Sequence, residues 1–502
     1  MTHMFGNPGT VEQGFLDSLG SYPDFHYILA LQETIAVGMA DGYARATRRP
    51  TAVQLHSGVG LGNGIGMLYQ AKRGHAPLVV LTGEAGLRYD AMEAQMWADL
   101  VAKAEPVTKW ATRVVDPGSL LRVLRRAIKE AATPPMGPVF VSLPMDVLDA
   151  PNDEEVLPTS LLSTRVAPPQ AEIERVARLL AGASRPMIIA GDGVAASGAE
   201  AELTRLAEVW GAEVWGADWS EANMDHTHPQ FRGMLGHMFG DHSRSITSQA
   251  DAVLICGTYV YPEVFPSLAP VFAAGAPVVH VDLNAHEIAK NFPVDVGLVA
   301  DPKLTLAALA DALARTMDSE HMAEAARRAA VMGSSKQREL EAQRARDRSY
   351  VDSVPMHASV FAEELARQLP ADAIVFDEAL TTSPDLTRYV TPTTPGSYFL
   401  TRGGSLGVGF PGAIGIKVAN PDRTVIGFSG DGGSMYTIQA LWTAVRHQVG
   451  AKFVVCNNHS YELLKVNIEE YWQERNIAEH AFPASFDLAE PDIHFDELAR
   501  SL

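Results

Sequence analysis

Cysteine is nearly absent from this 502-residue chain: Cys256 and Cys456 are the whole complement, each inside an apolar run. So few thiols exclude a disulfide framework and a paired C-x-x-C zinc site, and their setting reads as buried thiols in a reducing compartment. Basic residues are short as well. Forty Lys and Arg face 60 Asp and Glu, a formal net charge of −20. That balance argues against nucleic acid or an anionic membrane as the partner. No apolar run approaches the ~20 residues needed to cross a bilayer, and no charged-then-apolar leader precedes Phe5. The expectation is a cytoplasmic protein without membrane contact. Apolar residues make up 47% and charged ones 20%, ordinary for a soluble globular chain, and the length calls for several domains.

The most informative stretch is Thr424–Glu462. Thr424–Ser429 reads as a buried strand, and Gly430-Asp431-Gly432-Gly433 as a turn too rich in glycine for a helix interior. Ile438, Leu441, Ala444 and Val445 then mark one helical face. A second buried strand, Lys452–Cys456, ends at Asn457-Asn458. This is a parallel βαβ unit, whose two strand ends lie on one edge of the sheet. Asp431 and Asn458, 27 positions apart, should therefore meet. A carboxylate and an amide oxygen are hard ligands that suit Mg²⁺ or Ca²⁺, and Mg²⁺ commonly shares such ligands with phosphates. Glycines let backbone N–H groups approach a phosphate. A GDG triplet alone is usually an ordinary strand-to-helix turn. Gly191-Asp192-Gly193 is such a triplet in this same chain, and no Asn-Asn follows it.

The first block runs to about Pro151. It opens with Phe5-Gly6-Asn7-Pro8-Gly9-Thr10, read as a loop, followed by a strand at Ile28–Leu31. Glu33 then stands between that strand and a helix, Thr34–Arg45, whose Ala36, Gly38, Ala40 and Gly42 permit close packing. Ala52–Leu55 reads as a strand, His56–Gly64 as a glycine loop opening a helix, and Pro77–Thr82 and Pro138–Leu143 as further strands. Ala150–Pro169, rich in proline, reads as a linker. The second block, 170–317, carries strands at Pro186–Ala190, Ala252–Cys256 and Pro277–Val281. His226, His228, His237 and His242 lack metal-site spacing and read as structural or surface residues, and Trp210, Trp215 and Trp219 as packing. Asp318–Asp352 is a charged helical connector. The third block, 353–502, has strands at Ala373–Phe376 and Tyr398–Thr401 before a helix from Pro411. Alternating strands and helices predict an α/β chain of three doubly wound parallel-sheet domains.

GDG followed by Asn-Asn, together with LQETIAVGMADGYARATRRP, resembles the signature of the thiamin-diphosphate-dependent 2-oxoacid decarboxylase and acetohydroxyacid synthase superfamily. The resemblance spans essentially the whole chain. It implies a pyrimidine-binding domain at 1–151, a central domain at 170–317, and a pyrophosphate- and metal-binding domain at 353–502. It implies that Asp431, the Asn458 side chain and the Ser460 carbonyl hold Mg²⁺ or Ca²⁺. Thr381, Gly404 and Leu406 match positions touching the diphosphate, the pyrimidine and the bend of the cofactor. Asn7, Pro8, Leu380, Gly430, Gly432, Gly433, Tyr436 and Tyr461 are further implied contacts. Glu33 matches the glutamate that shares a proton with the pyrimidine ring.

FGNPG, YILALQE, QLHSGVGLGNG and PGSYFLTRGGSLGVGFPGAIG run close to the benzoylformate decarboxylase branch. That likeness implies a catalytic set of Glu33, His56 as a proton-transfer group, and Thr10 in place of a carboxylate-orienting serine. The stretch Gly257–Val264 has no counterpart to that branch's second histidine, and His459, Glu462 and Lys465 follow Asn458 where the branch is smaller or more apolar. The expected activity is decarboxylation of a 2-oxo acid, with carboligation of the aldehyde. An acetolactate-synthase-like carboligase, an FAD-containing oxidase and a silent scaffold are the other readings. A homodimer or homotetramer with active sites between chains is implied, and both ends of the chain look clipped relative to the family.

Overall fold

The computed structural model describes every residue except Asp218, Trp219, Val260 and Pro262. Three sheets form the framework. The first contains β1 (His3–Gly6), β2 (His26–Leu29), β3 (Thr51–His56), β4 (Leu78–Glu84), β5 (Trp110–Arg113) and β6 (Val139–Pro144). Its order is β2-β1-β3-β4-β6-β5, and every pairing is parallel. The second contains β7 (Pro186–Ala190), β8 (Glu213–Gly216), β9 (Phe231–Met234), β10 (Ala252–Cys256), β11 (Val278–Asp282) and β12 (Val296–Val299), in the order β12-β11-β10-β7-β8-β9. The third contains β13 (Ile374–Glu378), β14 (Tyr398–Leu400), β15 (Val425–Gly430) and β16 (Lys452–Cys456), in the order β14-β13-β15-β16. The α/β class with three parallel-sheet domains is therefore as the sequence predicts.

Several local expectations are corrected. The FGNPG segment is not loop throughout: His3–Gly6 is β1, an interior strand with Met4, Phe5 and Gly6 buried. The strand before Glu33 is His26–Leu29 and stops before Ala30. The glycine run after His56 is not a loop, because the helix Ser57–Arg73 begins at once. Gly60 and Gly64 serve contact rather than turning. A Cβ on Gly60 would lie 2.7 Å from Glu33 Oε1, and one on Gly64 3.3 Å from Leu55. Lys452–Cys456 is an edge strand and only half-buried, so Cys456 is less enclosed than Cys256. Val445 points to solvent, and the buried face of the helix Ala440–Arg446 is Ala440, Thr443 and Ala444.

The chain divides into two compact units. One comprises Met1–Leu162, Pro370–Ser383 and Leu400–Leu502, and the other Ser163–Leu369 and Pro384–Phe399. The second unit thus gathers residues 384–399, which the sequence had placed in the third block. Arg388 and Tyr389 both reach Asp347 there, at 2.7 and 2.9 Å. In this unit Trp210 is fully buried and donates to the Leu180 carbonyl, while Trp215 packs on the core. Trp219 lies outside the described residues. His226 stacks on Phe231 at 4.1 Å, and burial pushes its imidazole down to about 3, which makes it a neutral packing residue.

In the first unit, the helix Glu33–Thr47 lies against the helix Gly409–Ala419. A Cβ on Gly42 would sit 2.1 Å from the Gly412 carbonyl oxygen, and one on Gly415 would sit 1.8 Å from that of Met39. The small residues thus let two backbones touch. Thr443 and His447 also bind the Leu29 carbonyl and amide, at 3.1 and 3.0 Å, so the strand end leading to Glu33 is tied to the third sheet's helices. Gly42→Ala is expected to cost about 1–3 kcal/mol through overpacking and to lower the melting temperature. Gly182→Ala, where a Cβ meets nothing within 4 Å, should leave it almost unchanged. Equal melting temperatures for the two variants in differential scanning calorimetry would contradict the close-contact account.

Candidate active site

β15 and β16 are parallel, with Gly430 opposite Cys456, so the segments that follow leave from one edge. A short helix, Asp431–Met435, starts directly after β15. Gly432 and Gly433 are inside its first turn, not in a separate turn. A Cβ on Gly432 would press into the Tyr461 ring at 2.3 Å, and one on Gly433 would lie 2.9 Å from Ser429 Oγ. Asp431 is buried. Its Oδ1 accepts the Gly432 N–H at 2.8 Å, and its Oδ2 accepts the Ser460 N–H at 3.2 Å. Asn458 Oδ1 accepts that same Ser460 N–H at 3.1 Å. Two side-chain oxygens from separate strand ends thus converge on one point, as the spacing predicts.

Beside this point lies a cavity of about 290 Å³. Leu380, Thr381, Leu406, Tyr436 and Tyr461 line it, as do Gly430 to Gly433, Asn458 and Ser460. Gly404 does not line it, although it sits in the neighbouring loop at φ +71°. A Cβ on Gly430 would meet nothing within 4 Å, so the floor there is open. The donor set is one carboxylate, one amide oxygen and a carbonyl, all hard, which fits a divalent cation shared with a diphosphate. Among the described residues no group of three or more His, Cys, Asp or Glu is placed to hold a metal. Of His459, Glu462 and Lys465, only Glu462 lines the cavity, joined by Leu463 and Leu464. Lys465 pairs with Glu462 at 3.2 Å, and His459 with Asp492 at 3.4 Å.

Sequence reasoning missed Glu378. It ends β13, is 1% exposed, and lines the same cavity. Its Oε1 accepts the Gly407 N–H at 2.5 Å, and its Oε2 accepts the Gly409 N–H at 2.7 Å and the Ser429 hydroxyl at 3.2 Å. Burial pushes its carboxyl up to about 7, and those donors pull against the rise. The next residues carry backbone strain: Leu380 has φ +50°.

A second set of residues gathers at the C-terminal edge of the first sheet. Glu33 opens its helix with Gln32 as the cap, is 8% exposed, and takes a hydrogen bond from Asn63 Nδ2 at 3.0 Å. His56 ends β3, and its Nδ1 faces Glu12 at 3.1 Å. Glu12, also unforeseen, is buried and accepts the Gly83 N–H at 3.0 Å. Burial pushes its carboxyl up, against the opposing pull of His56. Asn7 ties its loop to the Ala30 carbonyl at 2.9 Å, while Pro8 and Thr10 are exposed. None of Asn7, Pro8, Thr10, Glu33 and His56 lines the cavity, whose walls all come from residues 378–464. Within one chain the candidate residues therefore form two separate half-sites.

Glu33 and His56 lie in one stretch, and Asp431, Asn458 and Ser460 in another, that match domains of a known enzyme family. The chain matches the thiamine pyrophosphate enzyme family in three parts: the N-terminal TPP-binding domain over residues 1–102, the central domain over 173–309, and the C-terminal TPP-binding domain over 381–502. It belongs to that family, within the superfamily of decarboxylases and acetolactate synthases. It is 32% identical to the benzoylformate decarboxylase of Pseudomonas aeruginosa over 93% of this chain and 84% of that one. A probable acetolactate synthase large subunit of Methanococcus aeolicus is 28% identical, over 91% of this chain and 78% of its own length. Among solved structures, a thiamine-diphosphate-dependent 4-hydroxybenzoylformate decarboxylase of Rhodococcus jostii superposes with a TM-score of 0.83 at 28% identity, covering 100% of this chain and 90% of that one.

The buried carboxyl of Glu378 has a consequence for stability. Its value moves from 4.5 to about 7 in the folded protein, so between those limits the folded state holds a proton that the unfolded chain has released. Its contribution to stability is therefore full below the lower limit and is lost as pH rises through the upper one. The melting temperature of cofactor-free wild type, relative to that of Glu378→Gln, should decline across that window. A constant difference would show that Glu378 does not titrate there.

Proposed function

We propose that this chain is a thiamin-diphosphate-dependent decarboxylase of a 2-oxo acid, with carboligation of the aldehyde product as a second outcome. The observation that carries the reading is the convergence of Asp431 Oδ2 and Asn458 Oδ1 on the Ser460 amide beside an open-floored cavity. Asp431, the Asn458 amide oxygen and the Ser460 carbonyl would hold Mg²⁺ (or Ca²⁺), with Thr381, Gly432 and Gly433 around the diphosphate. Bound there, thiamin diphosphate supplies a nucleophilic carbon and a sink for the electrons freed when CO₂ leaves.

The protein's part is to place groups and move protons. Glu33 offers a buried carboxyl, oriented by Asn63, to share a proton with a ring nitrogen. His56 has its Nδ1 turned to Glu12, which leaves Nε2 to exchange a proton with substrate oxygen. Thr10 has one hydroxyl to donate to a substrate carboxylate. Because the half-sites are separate in one chain, the working assembly is a homodimer or homotetramer in which residues 1–151 of one copy face residues 353–502 of another, with 170–317 as the central domain. Among the described residues no helix is long and apolar enough to cross a membrane, and a cytoplasmic location is part of the proposal.

The acetolactate-synthase-like carboligase is the second reading, favoured by the similarity to large subunits of such synthases. An FAD-containing oxidase is less favoured. The glycine triplet after β7 is packed on the chain's own backbone, where a Cβ on Gly193 would sit 2.5 Å from the Gly257 Cα. A panel of 2-oxo acids scored for CO₂ and 2-hydroxyketone separates the two leading readings.

Two variants test the cofactor assignment. Asp431→Ala should abolish Mg²⁺-dependent thiamin diphosphate binding in titration calorimetry, and unchanged affinity would overturn the metal set. Glu33→Gln should still bind the cofactor but slow exchange of its C2 proton by about 10²–10⁴, followed by NMR. Wild-type exchange in that variant would reduce Glu33 to a helix-start carboxylate.

A further inference from the structure

We propose that Glu378 is a positioning residue that sets the height of Leu406 in the cofactor cavity by clamping the peptide that follows it. This rests on the thiamin-diphosphate reading above and adds a residue that neither the sequence motifs nor the metal set contains. Leu406 lines the cavity and is held by little of its own: it lies in a glycine-rich loop, Arg402–Gly407, in which Gly403, Gly404 and Gly407 all take positive φ. Such a loop has no intrinsic stiffness. Its near end is tied to the helix Ser57–Arg73, where the Arg402 N–H reaches Gln70 Oε1 at 2.9 Å and the Ser405 hydroxyl reaches the Gly66 carbonyl at 2.7 Å.

Its far end depends on Glu378. One carboxylate oxygen takes the Gly407 amide and the other takes the Gly409 amide, the first residue of the helix Gly409–Ala419. On the opposite side, the buried Thr437 hydroxyl donates to the Gly407 carbonyl at 2.7 Å. Gly407, the residue next to Leu406, is therefore gripped through both its N–H and its C=O. A Cβ on Gly407 would lie 2.7 Å from Tyr436 Cβ, and one on Gly409 would lie 2.3 Å from the Phe428 carbonyl oxygen, so the chain passes here in one path only. A carboxylate accepts two N–H groups at once through two oxygens, which an amide side chain cannot do. Burying it in a cradle of neutral donors is unfavourable for the fold, as the upward push on its carboxyl indicates. A costly buried group beside a cofactor cavity points to a functional constraint.

The test compares two probes by titration calorimetry, each with Mg²⁺: thiamin diphosphate, which reaches Leu406, and inorganic pyrophosphate, which occupies only the diphosphate end. Glu378→Gln should weaken thiamin diphosphate about tenfold, the scale of one lost hydrogen bond to a charged group, and change pyrophosphate by less than about twofold. With Leu406→Ala already present, adding Glu378→Gln should change thiamin diphosphate affinity less than about twofold, because the two act on one contact. Equal weakening of both probes, or full additivity with Leu406→Ala, would overturn the proposal. Should Glu378→Gln fail to fold, Thr437→Val releases the other side of the same residue, Gly407, and must give the same selective loss. A wild-type protein that binds pyrophosphate but not thiamin diphosphate would remove the cofactor reading, and this proposal with it.

Discussion

A carboxylate buried without water costs several kcal/mol unless N–H groups replace the lost solvent, and the site is organised around that demand. Asp431 takes the amides of Gly432 and Ser460. Glu378 takes those of Gly407 and Gly409, Glu12 that of Gly83, and Glu33 the side-chain amide of Asn63. All but the Asp431–Gly432 bond join segments 29 or more residues apart in sequence. In an acidic chain, these bonds hold the loops at the strand ends in place, and they leave carboxylates facing the region where the proposed metal and proton-sharing ring would be bound.

Glycine supplies the second constraint. The parallel sheets need helices packed close to them, and the first unit goes further by letting two helices touch backbone to backbone at Gly42 and Gly415. The same residue type fills the helix after His56, where Gly60 makes room for the Glu33 carboxylate, and the short helix after β15, where Gly432 makes room for Tyr461. Two of the motifs that resemble the family signature are thus also packing devices.

That double use also limits what could be read from residues alone. β7, β10 and β16 were legible to the residue, because a short apolar run bounded by charged or turn residues reads as a buried strand. β1, β5 and β9 were not: each has four residues, and β5 and β9 are largely half-buried, so alternation and length both fail. Runs such as Ser57–Gly64 and Asp431–Gly433 read as loops by propensity but lie in helices, and at Gly60 and Gly432 a close neighbour leaves no room for a Cβ. The meeting of Asp431 and Asn458 was legible because a βαβ unit brings its strand ends together by rule, whereas Ser460 came only from the family resemblance. Glu12 and Glu378 were not, since what distinguishes them is which distant amide they meet, and no spacing encodes that. Gly404 matched a family position yet stands outside the cavity walls of the single chain.

The account makes the two half-sites complementary parts of one site, supplied by different copies of the chain. Subunit mixing tests that most directly. Glu33→Gln and Asp431→Ala proteins, each inactive alone, are mixed, allowed to exchange subunits with Mg²⁺ and thiamin diphosphate present, and followed by NMR for loss of the cofactor C2 proton. The account predicts that fast exchange returns in the mixture, because a hybrid pairs the intact Glu33 of one copy with the intact Asp431 of the other. A mixture as slow as its two components, with hybrids present by native mass spectrometry, would contradict it.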